Sequence, residues 1–365
     1  MAKCHIWSCV RRWRFAGLWP SPSGIGSSVP RRRHVDMPLK PQGDRVVDVG
    51  ARSIADAHHF LHEAMATVFE LYIVEEDATY AQQGAQAAFA EVDRLELEMS
   101  RFIENSDIAR LNSAVPGETV DVGLDVFECL SRAREMFGQT GGAFDISIGA
   151  LYECWLNEDK TVRQPSDEEV AHARQLTGLD HLQLDAELYS AEVLTEGVQF
   201  DLGGIGKGFA AEKMAEILRE WSLGQALVLA GASSVLSVSV PEGMSGWPMK
   251  LRNPSKRSEI LAKLELTEGA ISGSGRQMGQ HIIDPRDAEA GPVEARLAAW
   301  SMAPDAVAAD ALSTAFMVLQ PDEISDYCLA NPQTAAIILP HGHSAKTQRQ
   351  ESVCFGLWQG IDLAN

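Results

Sequence analysis

From about residue 65 onward the chain falls into segments of recognisable period. Residues 67–74 are rich in β-branched and aromatic side chains and predict a strand. Over 80–99 the apolar residues Phe89, Val92, Leu95 and Met99 recur at spacings of three and four, which predicts a helix with one face on a core and Glu91, Arg94 and Glu98 toward water. A second helix is expected over 125–138. Ser166 with Glu169 makes a capping box that opens a third, running to about Leu176. The second half alternates expected strands near 193–202, 226–230, 234–240, 260–266 and 297–302 with helices near 207–221 and 307–319. Turns at 241–246 and 253–258 suggest antiparallel pairing, so the expected class is α+β: mixed or antiparallel sheets with packed helices, not a doubly wound parallel sheet.

Charge narrows the chemistry. The 365 residues carry 31 Lys and Arg against 51 Asp and Glu. Seven of the basic residues and no acidic one lie within 1–35, so the rest of the chain holds 24 basic against 51 acidic residues, a balance of −27. Such a body repels nucleic acid at long range. A phosphorylated ligand must then be held by local N–H groups, a few cations or a metal ion. The six cysteines, Cys4, Cys9, Cys129, Cys154, Cys328 and Cys354, include no C-x-x-C pair and require no disulfide. No apolar run approaches the roughly 20 residues that span a bilayer, so no transmembrane segment is expected.

The N-terminus has Arg11, Arg12 and Arg14 early and Arg31 to Arg33 later, but Pro20, Pro22 and several Gly and Ser interrupt the stretch between them. A secretory signal needs a continuous apolar run of about 7–15 residues and a small-residue cleavage site. Neither is clean here, which favours a cytoplasmic location. Residues 1–50 are expected to be a disordered basic extension, with Met37 as a second candidate start, and 51–365 a single catalytic domain.

Three segments invite chemistry. Asp201-Leu202-Gly203-Gly204-Ile205-Gly206-Lys207-Gly208 stands between an expected strand and helix, where N–H groups and a helix dipole can meet an anion. Its spacing is neither G-x-G-x-x-G nor a P-loop, and a tight turn with an exposed lysine is the plain alternative. Asp310, Ser313 and Thr314 share one face of an otherwise apolar helix, and a carboxylate with hydroxyl oxygens suits a hard ion such as Mg²⁺. The competing account makes Asp310 a first-turn residue that offsets the helix dipole. His281 opens the run His281-Ile282-Ile283-Asp284-Pro285-Arg286 and could take a proton from a hydroxyl, although most single histidines are structural. The groups His58-His59-His62 and His341-Gly342-His343 show no acidic or cysteine partner in sequence and read as surface features.

Taken in order, these segments resemble the FAD:protein FMN transferase family, flavin transferases first named as a thiamine-biosynthesis lipoprotein. The likeness covers about 65–319 and includes Met65-Ala66-Thr67, the run Asp107-Ile108-Ala109-Arg110-Leu111-Asn112, Gly142-Ala143-Phe144-Asp145, the glycine loop, the His281 segment and the Asp310 helix. The resemblance implies FAD as substrate in a central cleft of a tunnelling-fold-like architecture. It implies Mg²⁺ on the pyrophosphate and transfer of FMN to a Thr or Ser hydroxyl of an acceptor protein, with release of AMP. By position Asp310, Ser313, Thr314 and Gly204 would hold the metal. Met65, Phe102, Ala143, Phe144, Asp145, Asp201, Lys207 and His281 would line the FAD site, with His281 and Asp310 catalytic. It also implies export to the periplasm, against the N-terminal reading. Ala66 stands where the family usually has glycine, and Phe102 where a tyrosine commonly stacks on the flavin. An FAD pyrophosphatase and a non-catalytic flavin-binding protein are the alternatives.

Overall fold

The strand expected at 67–74 forms with those bounds and becomes one of eight in the principal sheet. The structure, a computed structural model, describes residues 47–49, 57–157, 161–256, 258–276, 281–287, 291–342, 351–358 and 361–363. Among these, the principal sheet contains β2 (Ala57–Ala64), β3 (Thr67–Val74), β7 (Ala226–Ala230), β8 (Ser234–Ser237), β11 (Gly269–Gly275), β12 (Arg296–Ala303), β13 (Ala335–Pro340) and β14 (Val353–Gly356). Its order is β14-β13-β12-β11-β8-β7-β3-β2, antiparallel at every step. A second antiparallel sheet runs β1 (Val47–Val49), β9 (Trp247–Arg252), β10 (Ile260–Leu266) and β15 (Asp362–Leu363), and a third runs β4 (Thr119–Asp121), β6 (Ser190–Val193) and β5 (Leu182–Asp185). The expected α+β class with antiparallel sheets is what the chain adopts.

Helices lie on one face of the principal sheet and the second sheet on the other. They are α1 (Ala78–Met99), α2 (Asp107–Ser113), α3 (Leu124–Gln139), α4 (Gly149–Trp155), α5 (Asp167–Gln175), α6 (Gly206–Glu220), α7 (Ala306–Ala315) and α8 (Pro321–Ala330). Strand β7 shows why the middle of the sheet is apolar without alternation: Val228 and Ala230 face the helices, Leu227 and Leu229 face the second sheet, and all five of its residues are buried. By contrast β9 alternates buried and half-buried residues, as expected of a sheet covered on one face only. A smaller core joins α4 and α5 to Ile283.

Local signals account for the helix bounds. Asp77 caps α1 by accepting from Thr79 N and Tyr80 N, and Ala81, Ala85, Ala88, Val92, Leu95 and Met99 form its buried stripe. The Ser166–Glu169 capping box opens α5 as expected. Gly84 lets α1 approach the chain after α6, because a Cβ there would fall 2.2 Å from Leu223 Cδ1.

Four expectations need correction. Most of 193–202 is not a strand: β6 ends at Val193, and beyond it pairing is confined to one bridge between Gln199 and Ile148. The turn at 253–258 joins the antiparallel pair β9 and β10, but the one at 241–246 carries the chain from β8 in the principal sheet to β9 in the second, so it closes no hairpin. Val47–Val49 pairs with Met249 to Leu251, so these three residues belong to a sheet and not to an extension, while 1–46 and 50 lie outside the described residues. Finally, the β2 histidines do have acidic partners: His59 Nε2 lies 2.7 Å from the buried Glu70 and His62 Nε2 lies 2.8 Å from Asp93. Register across β2 and β3, with a helix laid over them, brings together residues that sequence order keeps apart.

Candidate functional site

The glycine loop and the Asp310 helix meet. Helix α6 starts at Gly206, with Ile205 at its N-cap offering no side-chain hydrogen bond, so its first amides need partners from elsewhere. One partner is Asp310 on α7: its Oδ2 accepts from Gly208 N at 3.1 Å and from Lys207 Nζ at 3.3 Å. A carboxylate is favoured at a helix N-terminus, where the dipole is positive. The anion expected at this end of α6 is thus supplied, at Gly208, by the protein itself.

Asp310 is only 3% exposed, and its other oxygen is equally engaged. Oδ1 accepts from the hydroxyls of Ser234 and Ser272, each at 3.2 Å. The first-turn account of Asp310 does not hold, because Asp305 caps α7 through Ala308 N at 2.7 Å and Asp310 lies a full turn further on. Lys207 Nζ also donates to Gly203 O at 3.0 Å, which folds the lysine back over the loop and leaves its side chain 24% exposed.

Beside Asp310 stands a group of hydroxyls. Ser313 Oγ donates to Asp310 O at 2.9 Å, and Ser274 Oγ lies 2.8 Å from Ser313 Oγ and 3.2 Å from Thr314 Oγ1. Gly204 completes the cluster, since a Cβ placed on it would be 3.4 Å from Thr314 Oγ1 and 3.1 Å from Phe144 Cε2. All four proposed metal-holding residues, Gly204, Asp310, Ser313 and Thr314, therefore come together with Lys207.

The other candidates sit in different surroundings. Asp201 Oδ1 accepts from Gly203 N at 2.7 Å and its Oδ2 from Arg101 at 3.3 Å, so it sets the loop's turn. Arg101 lies 5.4 Å from the ring centroid of Phe102, whose side chain stands out at 86% exposure as an open aromatic face. Ala143 and Phe144 are core residues, and the Phe144 ring lies against Gly204 of the loop. Asp145 is buried; its Oδ1 accepts from Ser147 N at 2.8 Å and Ser147 Oγ at 2.7 Å. Burial pushes its carboxyl above the usual aspartate range, against the Ser147 bonds that favour the ionised form.

Met65 and Ala66 form the two-residue turn between β2 and β3, with φ of 50° and 55°, and Met65 packs on the large core. His281 is half-buried at the start of a segment whose next two residues are anchored in separate cores, Ile282 in the large one and Ile283 in that of α4 and α5. Arg286 ties the end of that segment to Asp284 and to Glu323 of α8.

The cluster's chemistry fits a small hard cation under one condition. It offers one carboxylate and several neutral oxygens, and among the described residues no three His, Cys, Asp or Glu are grouped to cage a metal. Mg²⁺ is commonly held by one or two carboxylates with phosphate oxygens supplying the rest. The donor set suits a metal shared with a pyrophosphate, not one locked in by protein alone.

Ser234, Ser272 and Ser274 are not among the residues expected from the sequence to hold the metal or FAD. Only the fold shows that Ser234 and Ser272 converge on one carboxylate and that Ser274 meets the Ser313 and Thr314 hydroxyls.

The chain is similar to a set of known proteins that share one family. The ApbE family model matches residues 65–338. The FAD:protein FMN transferase of Klebsiella pneumoniae (strain 342) is 25% identical over 312 residues, covering 78% of this chain and 85% of the relative. That of Escherichia coli (strain K12) is 24% identical over 300 residues with the same coverage. Among solved structures, the ApbE protein of Thermotoga maritima superposes with a TM-score of 0.70 at 26% identity, covering 78% of this chain and 94% of that one. The flavin transferase ApbE of Vibrio cholerae gives 0.69 at 21%, covering 82% and 97%, a likeness of fold. The family match takes in the glycine loop, the serine-bearing strands and α7, every element that builds the cluster, and the chain belongs to the ApbE family.

Proposed function

We propose that this protein is a magnesium-dependent FAD:protein FMN transferase, which moves the FMN half of FAD to a Thr or Ser hydroxyl of an acceptor protein and releases AMP. The observation that carries the reading is the convergence of Asp310, Lys207, the Ser313 and Thr314 hydroxyls and Gly204 at the head of α6. That combination supplies a carboxylate and neutral oxygens for a metal, a cation for phosphate charge and a glycine that permits close backbone approach.

In this reading the new bond joins the acceptor oxygen to the FMN phosphorus, and the bond that breaks is the one from that phosphorus to the bridging oxygen, which leaves with AMP. When bound, Mg²⁺ would neutralise charge that develops on the pyrophosphate. Lys207 adds positive charge on the same side. Its tether to Gly203 O and Asp310 sets the ammonium in advance. The exposed ring of Phe102 offers a stacking surface for the isoalloxazine, and Arg101, held by Asp201, keeps that surface beside the loop. His281 accepts the proton from the acceptor hydroxyl, a role suited to an imidazole near neutral pH.

Incubation of the protein with FAD and Mg²⁺, with and without a Thr- or Ser-bearing acceptor, tests this directly. Transfer predicts covalently bound flavin on the acceptor and equimolar AMP. AMP formed equally without acceptor would make the protein an FAD pyrophosphatase, and FAD binding with neither product would make it a flavin-binding protein. Asp310→Ala should abolish turnover, and full activity in that variant would remove Asp310 from the site.

A further inference from the structure

Ser234 and Ser272 occupy positions where an apolar residue would be the ordinary choice. On β8, Leu236 faces the core beneath the helices, and Ser234 lies two residues earlier on the same face. On β11, Ala270 faces that core and Ser272 follows two residues later. The two serines are register partners on adjacent strands and are 2% and 0% exposed. Burying a hydroxyl without a partner is unfavourable, so the pair needs one.

The partner that both hydroxyls share is a single atom. Ser234 Oγ and Ser272 Oγ are 2.8 Å apart and each lies 3.2 Å from Asp310 Oδ1. Both hydroxyls are within donating distance of Oδ1, and one can donate to the other serine while that serine donates to Oδ1. With Oδ2 taken by Gly208 N and Lys207, the carboxylate plane is fixed at both ends. Ser313, whose hydroxyl lies 3.5 Å from Ser272 Oγ, extends the contact toward Ser274 and Thr314.

We propose that Ser234 and Ser272 are positioning residues for Asp310, holding Oδ1 so that the carboxylate keeps the orientation from which it serves metal and phosphate. The inference rests on the transferase reading of the site. Residues that orient a metal's ligands typically change metal affinity by about 10–100-fold when removed. Both hydroxyls meet Asp310 Oδ1, and beyond it Ser272 reaches only as far as Ser313 at 3.5 Å, so the main effect runs through Asp310.

The test is FAD binding, followed by flavin fluorescence across a Mg²⁺ series, in the wild type and in Ser234→Ala, Ser272→Ala and the double variant. Each single variant should raise the half-saturating Mg²⁺ concentration by about tenfold or more. The double variant should exceed the worse single variant only slightly, because both hydroxyls act on one oxygen. Ser272→Thr should restore most of the loss, and Ser234→Thr provides the same check where the added methyl disturbs the fully buried Ser272 site. A purely structural role would lower the unfolding midpoint of the alanine variants and leave the Mg²⁺ half-saturation unchanged, which overturns the proposal. Absence of Mg²⁺-dependent FAD binding in the wild type would instead overturn the transferase reading, and this inference with it.

Discussion

A Cβ on Gly208 would lie 2.9 Å from Cβ of Asp310 and 2.1 Å from the carbonyl oxygen of Ala306, so α6 and α7 approach as closely as a glycine allows. That approach is what brings Gly208 N within reach of the carboxylate. Gly208→Ala should therefore do two things at once. Overpacking against backbone costs about 1–3 kcal/mol and outweighs the helix-propensity gain of up to about 1 kcal/mol. The helices must also separate, lengthening the Gly208–Asp310 bond. A lower denaturation midpoint together with weaker FAD binding is expected, and an unchanged midpoint would show that the contact is looser than described.

The turn between β2 and β3 offers a change in the opposite direction. A two-residue hairpin turn with positive φ at both positions suits Asn and Gly, and this chain has Met65 and Ala66 there at 50° and 55°. A side chain in the left-handed region costs about 1–2 kcal/mol, and glycine returns part of that gain by loosening the unfolded chain. Ala66→Gly should stabilise the protein by about 0.5 kcal/mol net, read as a higher urea midpoint at unchanged slope. A fall in midpoint would mean that Ala66 makes packing contacts worth more than the strain.

Much of the scaffold was legible because local rules decided it. The helix bearing Phe89, Val92, Leu95 and Met99 follows from spacing alone, and Ser166 with Glu169 announces α5 before any packing is considered. Residues 194–202 misled because Val198, Phe200 and Leu202 alternate with Gln199 and Asp201, the period of a strand, where the chain pairs only at Gln199. The site was legible in part. Asp310 and Gly208 are separated by 102 positions, and each was ambiguous until the fold showed the one capping the helix of the other. The serine pair was not legible as a pair for a different reason: Ser234 and Ser272 lie 38 positions apart, and their shared role depends on the carboxylate that stands across the core from both.

Asp145 gives a pH dependence whose sign follows from its burial. Its carboxyl is raised above the usual aspartate range, so the native protein holds that proton more tightly than the unfolded chain does. Its contribution to stability is therefore fully present below the unfolded value, near about pH 4, and is lost as pH rises through the folded value. Asp145→Asn keeps an oxygen to accept the Ser147 bonds and removes the titration. The stability of the variant relative to wild type should climb from about pH 4 upward and level off once the wild-type carboxyl is ionised. Parallel stability curves across that range would falsify the assignment.

Arg296 secures the far end of the helix that carries Asp310. Its guanidinium donates to the carbonyls of Phe316 and Leu319, just beyond the last turn of α7, where unpaired carbonyls and the negative end of the dipole favour a cation. Residue 296 is only 9% exposed, and burial lowers the arginine's pKa. Arg296→Met retains the apolar stem and removes both donors. Two buried carbonyls left without these partners would cost about 1–3 kcal/mol each, offset in part by no longer burying a charge, for a net loss of about 2–3 kcal/mol. Lysine retains the charge but cannot fork to two carbonyls, so Arg296→Lys should fall between wild type and Arg296→Met in denaturation midpoint. A lysine variant as stable as wild type would show that charge at the helix end suffices, and that the fork contributes nothing to holding α7 against β12.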